Sequence, residues 1–142
     1  MKLCPQVNVR LADLMLGASM PLYKIATQEG SLSPEAKAAL ATEITNFHCQ
    51  MAGLDKAFVK MIFDAFPTGD GFVGGEAAAA VTLTVLVRAG RSTDYKHKML
   101  RGLWSILQRA TDATDAQMLV AIEEAPASNA MEMGQIMPEL EA

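Results

Sequence analysis

From Pro21 onward the spacing of apolar residues changes period in the same order twice. Residues 21–27 (PLYKIAT) read as a strand, 33–53 (SPEAKAALATEITNFHCQMAG) as a helix and 57–67 (AFVKMIFDAFP) as a second strand. The order then returns as strand 81–87 (VTLTVLV), helix 92–112 (STDYKHKMLRGLWSILQRATD) and strand 117–126 (QMLVAIEEAP). Leu40, Ile44, Phe47 and Met51 form the apolar stripe of the first helix; Met99, Leu103, Ile106 and Ala110 form that of the second. Ser33 can cap the first helix by accepting from its free N–H groups, with Pro34 suited to the first helical position. Ser92 or Thr93 caps the second, and Asp94 complements its positive end. The segment VTLTVLV is apolar and β-branched throughout, the pattern of an interior strand covered on both faces.

An offset of about 59–60 residues carries one strand–helix–strand unit onto the other, the mark of an internal duplication. Gly30 and Gly90 open the strand-to-helix loops, and Phe66-Pro67 and Ala125-Pro126 close the units, which run over about 21–67 and 81–126. Each helix is long enough for the crossover that a parallel strand pair requires. One unit alone cannot bury a sheet. Two fused β-α-β units give an α+β fold: a four-stranded core sheet with both helices on one face. The other face stays partly apolar, which predicts an oligomer. Between the units, the glycine-rich stretch PTGDGFVGGEAAAA reads as a turn-forming connector.

Composition narrows the possibilities. A chain of 142 residues, 51% apolar and 20% charged, suits one compact domain. Its net charge of −4 and lack of a Lys/Arg cluster argue against nucleic acid or an anionic membrane surface as partner. No apolar run approaches the ~20 residues of a membrane span. The two cysteines, Cys4 and Cys49, are too few for a disulfide framework and suit a reducing compartment. The first twenty residues read as a leader or extension, since Arg10 and Asp13 leave only LMLGA as an apolar run, too short for a secretory signal. The expectation is a cytoplasmic protein whose single domain spans 21–142.

The duplication, the opening MPLYKI, the histidine of TNFHCQ, the arginines of VRAGRS and the glutamate of NAMEMG occur together in this order. This set resembles the tautomerase superfamily, and within it the cis-3-chloroacrylic acid dehalogenase branch, over Pro21 to about Pro138. The resemblance implies a tautomerase-like (MIF-like) homotrimer without cofactor. It implies that Pro21 and Glu132 are catalytic and that His48, Arg88 and Arg91 bind a small carboxylate substrate. One position departs from the pattern: the branch's tyrosine on the last strand is Ala121 here. That change weakens hydrolytic dehalogenation and favours proton transfer on a 2-keto or enol acid.

The chemistry of these residues fits those roles, and each also has a plainer reading. A proline with a free nitrogen is a secondary amine on a rigid ring; free α-amino groups titrate near ~7.7–8, suited to general acid–base work at neutral pH. With Met20 attached the nitrogen is an amide and no base, and Pro21 is then only a permitted first residue of a strand. Arg88 and Arg91, between a strand and a helix start, can grip an anion and stabilise enolate charge, or be ordinary solvated charges. His48 can hydrogen-bond substrate, or sit partly buried near the negative helix end. Glu132 can activate water if burial raises its pKa, or be a surface residue, with Glu123 and Glu124 as competitors. His97 reads as surface, and Tyr95, Trp104 and most of the ten methionines as packing. No metal-ligand spacing is present. Two further readings stand beside the tautomerase: a cofactor-independent hydratase or dehalogenase of a three-carbon unsaturated acid, and a non-catalytic oligomer with Pro21 blocked by the leader.

Overall fold

The computed structural model describes residues 20–139, so the expected leader before Met20 lies outside the described residues. The chain forms strand β1 (Leu22–Gln28), helix α1 (Pro34–Ala52), β2 (Lys60–Phe66), the short strands β3 (Phe72–Val73) and β4 (Glu76–Ala77), then β5 (Val81–Arg88), α2 (Thr93–Thr111), β6 (Met118–Ala125), β7 (Met131–Glu132) and β8 (Gln135–Ile136). The main sheet has the order β2-β1-β5-β6. Within each unit the strands are parallel, β1 with β2 and β5 with β6; the units meet where β1 runs antiparallel to β5.

Both helices start as their caps direct: Ser33 Oγ accepts from the Ala36 N–H at 3.0 Å and Ser92 Oγ from the Tyr95 N–H at 3.1 Å. On the helix side of the sheet Tyr23, Ile25, Leu83 and Val85 are fully buried against Leu40, Ile44, Met99 and Leu103. In α2 the last core position belongs to Leu107, while Ala110 in the final turn is exposed, a small loss because a single methyl buries little. The expectation that VTLTVLV is covered on both faces needs correction. Val81, Leu83, Val85 and Val87 are buried, but Thr82, Thr84 and Leu86 on the other face are only half-buried. Strand alternation gives β5 two faces, and the helices cover only one of them. On that open face the edge strands expose Ile62 (53%) and Leu119 (55%).

The connector is also more than a turn. It folds into the β3–β4 hairpin, with Gly74 and Gly75 both at positive φ (60° and 82°). A two-residue turn of this hand needs positive φ at both central positions. The same hairpin recurs after the second unit as β7–β8, with Met133 and Gly134 at 52° and 76°. The duplicated unit is therefore β-α-β plus hairpin. Gly30 and Gly90, both at positive φ, match each other, as do Ser33 and Ser92, so the second strand-to-helix loop is one residue shorter. With that deletion the faces agree: Tyr23 falls on Leu83, His48 on Leu107 and Lys60 on Leu119. Among the described residues no helix is long and apolar enough to cross a membrane.

Candidate active site

The antiparallel seam places the starts of β1 and β2 beside the ends of β5 and β6, with the C-terminal part of α1 and the start of α2 at the same end of the sheet. Pro21 is buried there, and its carbonyl accepts from the Lys60 N–H at 3.0 Å. Met20, joined to its nitrogen, is buried against Cys49, Leu54, Phe58, Ala127 and Met137.

Arg88, the last residue of β5, has no solvent exposure, and its Nη1 donates to the Pro138 carbonyl. Its Nε and Nη2 are buried without a hydrogen-bond partner, as is Nε of Arg91. Burial, and then the charge of Arg91, pull the Arg88 pKa down, with Glu139 opposing. Arg91 holds its guanidinium 4.8 Å from the centre of the Tyr95 ring, a cation–π contact that fixes a flexible side chain. Unpaired guanidinium N–H groups in a buried setting are costly, and a carboxylate has the charge and fork geometry to accept from them.

His48 is also fully buried. Its Nδ1 lies 2.5 Å from the Tyr23 hydroxyl, and the two rings meet edge to face with centroids 5.5 Å apart. Burial, assisted by the charge of Arg91, lowers the His48 pKa to about 4, so the ring is neutral at physiological pH. Burial also raises that of Tyr23, keeping its phenol protonated.

Glu132 sits on β7, and its side chain is only 9% exposed. Lys60 Nζ stands 3.6 Å from Oε1, while Oε2 is buried and unpartnered. Burial raises the Glu132 pKa, with Lys60 pulling the other way. The surface reading of Glu132 does not hold, nor does that of the two arginines. The rival carboxylates lie elsewhere: Glu123 is exposed, and Glu124, on the helix side of β6, pairs with Lys96 Nζ at 2.8 Å.

Two groups of contacts thus share one end of the sheet. Pro21, Lys60 and Glu132 form one; Arg88, Arg91, Tyr23 and His48 form the other. The segment after β6 joins them, since Ala127 and Met137 pack on Met20 and Pro138 bonds Arg88. Ala121 is half-buried on the open sheet face, across from Thr84. His97 is exposed on α2. Among the described residues no three His, Cys, Asp or Glu side chains are grouped to hold a metal ion. Sequence reasoning missed Lys60 and Tyr23. Parallel pairing of β1 with β2 puts the first residue of one beside the first of the other, which could have pointed to Lys60. Tyr23 lies two residues beyond Pro21, on the helix-facing side of the strand.

A family model described as "Putative oxalocrotonate tautomerase enzyme" matches residues 20–142. No curated protein matches the sequence. Among solved structures, native Ps01740 is 32% identical with a TM-score of 0.75, the match covering 78% of this chain and 99% of that one. A protein named N1, a member of the cis-3-chloroacrylic acid dehalogenase family, is 26% identical with a TM-score of 0.78, over 83% of this chain and 84% of its own. A fused 4-OT described as a symmetric trimer shares the fold, with a TM-score of 0.74 at 22% identity over 82% of this chain and 94% of its own.

Proposed function

Since the chain belongs to the tautomerase family that matches it from Met20 to its last residue, we propose that it is a cofactor-independent tautomerase using Pro21 as general acid and base on a small 2-keto or enol acid. The observation that carries this reading is the presence, at the same end of the sheet as Pro21, of buried, unpartnered guanidinium nitrogens and a buried carboxyl of raised pKa. In this scheme Arg88, Arg91 and His48 hold the substrate carboxylate, and the two guanidinium charges also stabilise the enolate that forms when a proton leaves the α-carbon. Pro21 takes that proton and delivers it to the enolate oxygen, giving the enol; in the ketonising direction it takes the enol proton and returns one to the carbon. Glu132, kept protonated further up the pH scale by burial, assists as a proton donor.

The scheme requires a secondary amine at Pro21, because an acylated proline has no basic lone pair. The test compares the full chain with a chain beginning at Pro21, following ketonisation of phenylpyruvate or 2-hydroxymuconate. The shorter chain is expected to be faster by orders of magnitude; equal rates would remove Pro21 from the mechanism. Arg91→Ala should raise KM and lower kcat for the same acids, and an unchanged kcat/KM would take Arg91 out of the site.

The working form is a homotrimer in this reading. Its support is the open sheet face with Ile62 and Leu119, together with Phe72, Met131 and Ile136 exposed on the two hairpins. One observation favours a second reading. Met20 is well packed where it stands, which suits an oligomer whose proline stays acylated and which does no chemistry. Intact mass of the native protein separates the two.

A further inference from the structure

Tyr23 and His48 form a buried polar pair at a place where the fold asks for none. Their duplicates in the second unit, Leu83 and Leu107, are equally buried and wholly apolar, so packing alone is satisfied by two leucines. A buried polar pair costs desolvation that an apolar pair does not, and it persists where it specifies something.

The pair specifies a proton position. Among the described residues the contact with His48 Nδ1 is the single hydrogen bond of the Tyr23 hydroxyl. If Nδ1 carried the proton and donated to the phenol oxygen, the phenol's own proton would be buried without an acceptor, at a cost of about 1–3 kcal/mol. With the phenol donating to Nδ1, the proton of the neutral ring must sit on Nε2. Arg91, the charged group that bears on the ring from the loop before α2, disfavours a second ring proton.

We infer that Tyr23 is a positioning residue: its O–H···Nδ1 bond fixes His48 as the neutral Nε2–H tautomer, so that His48 meets the substrate oxygen as an uncharged hydrogen-bond donor. This inference rests on the proposed role of His48 as a substrate ligand, but its first readout does not depend on turnover. The chain has only two histidines, and exposed His97 serves as the internal reference. In nitrogen-15 spectra of the full chain at neutral pH, the His48 ring should show a protonated Nε2 and an unprotonated, hydrogen-bonded Nδ1. Tyr23→Phe, which keeps the ring and removes the hydroxyl, should move His48 toward a mixture of the two tautomers. In a chain beginning at Pro21 the same change should raise KM more than it lowers kcat, since His48 holds the carboxylate in ground and transition state alike.

A protonated Nδ1 in the unsubstituted chain would overturn the inference without reference to any variant. So would an unchanged tautomer in a folded Tyr23→Phe protein. If the tautomer shifts as expected while ketonisation is absent even in the chain beginning at Pro21, the positioning stands and the tautomerase reading falls.

Discussion

The two ends of the main sheet are built from the same duplicated unit and differ in almost every group able to do chemistry. At one end stand Pro21, Tyr23, His48, Lys60, Arg88 and Glu132; the matching positions at the other are Val81, Leu83, Leu107, Leu119, Gln28 and Val73. The backbone is repeated down to its left-handed helix caps, Gly53 at φ 67° and Asp112 at φ 55°. The apolar end shows what the fold needs for stability; what the polar end carries beyond it includes the groups that the proposed chemistry uses. The loop between strand and helix sharpens the contrast. Where the first unit has Ser31 and Leu32 between glycine and cap, the second has only Arg91, so the residue that bears on both His48 and Arg88 comes with a deletion.

Exchanging residues between the ends tests this comparison. The largest effect is expected from making the polar end resemble the apolar one. In a chain beginning at Pro21, Tyr23→Leu with His48→Leu should fold, yet lose on the order of 10²-fold in kcat/KM, the usual consequence of misplacing a bound substrate. Retained activity would separate the pair from the site. The next concerns pH. The His48 pKa is lowered to about 4, below the ordinary histidine value of 6.5, so as pH falls between these values the unfolded chain binds a proton that the folded chain refuses. Stability should be full above about 6.5 and decline toward pH 4 by roughly 3 kcal/mol, and the double leucine variant should lack that decline. Urea titrations across this range read both.

A smaller effect is expected from breaking the pair halfway. His48→Leu alone leaves the Tyr23 hydroxyl buried without a partner and should cost about 1–3 kcal/mol at neutral pH, part of which Tyr23→Leu restores. A double-mutant cycle measures the coupling. Smallest of all, Lys60→Leu places the residue of the other end beside Glu132. Lys60 is more than half exposed, so stability should change by less than about 1 kcal/mol. Without the opposing cation the Glu132 pKa should move further up, and the corresponding limb of the pH–rate profile should follow it to higher pH.

Much of this was legible in the sequence because it is periodic or local. The strand–helix–strand order, the serine caps and the duplication all follow from spacing and short-range hydrogen bonding. The burial of β5 on one face only was not legible, since an unbroken apolar run does not say how many layers cover it. The hairpins hid behind their glycines: GFVGGE reads as a turn-forming connector, without strands of its own, until AMEMGQ is seen to make the same turn with a methionine in a left-handed conformation. The resemblance led to Pro21, His48, Arg88, Arg91 and Glu132, while their surroundings come from long-range pairing. Lys60 lies beside Glu132 only because β1 pairs with β2 and the chain returns after β6. Glu123 and Glu124 could be set aside only once strand alternation and Lys96 were in place.

The bond from the Lys60 N–H to the Pro21 carbonyl has a consequence for motion. Chain ends ordinarily fray, and a reacting group on such an end would spend its time out of alignment. Here the residue's own carbonyl is stitched into the sheet. A nitrogen released at Pro21 would be the first atom of a rigid ladder, with its direction set by the ring and the adjoining strand. Little ordering entropy would then remain to be lost when a substrate arrives.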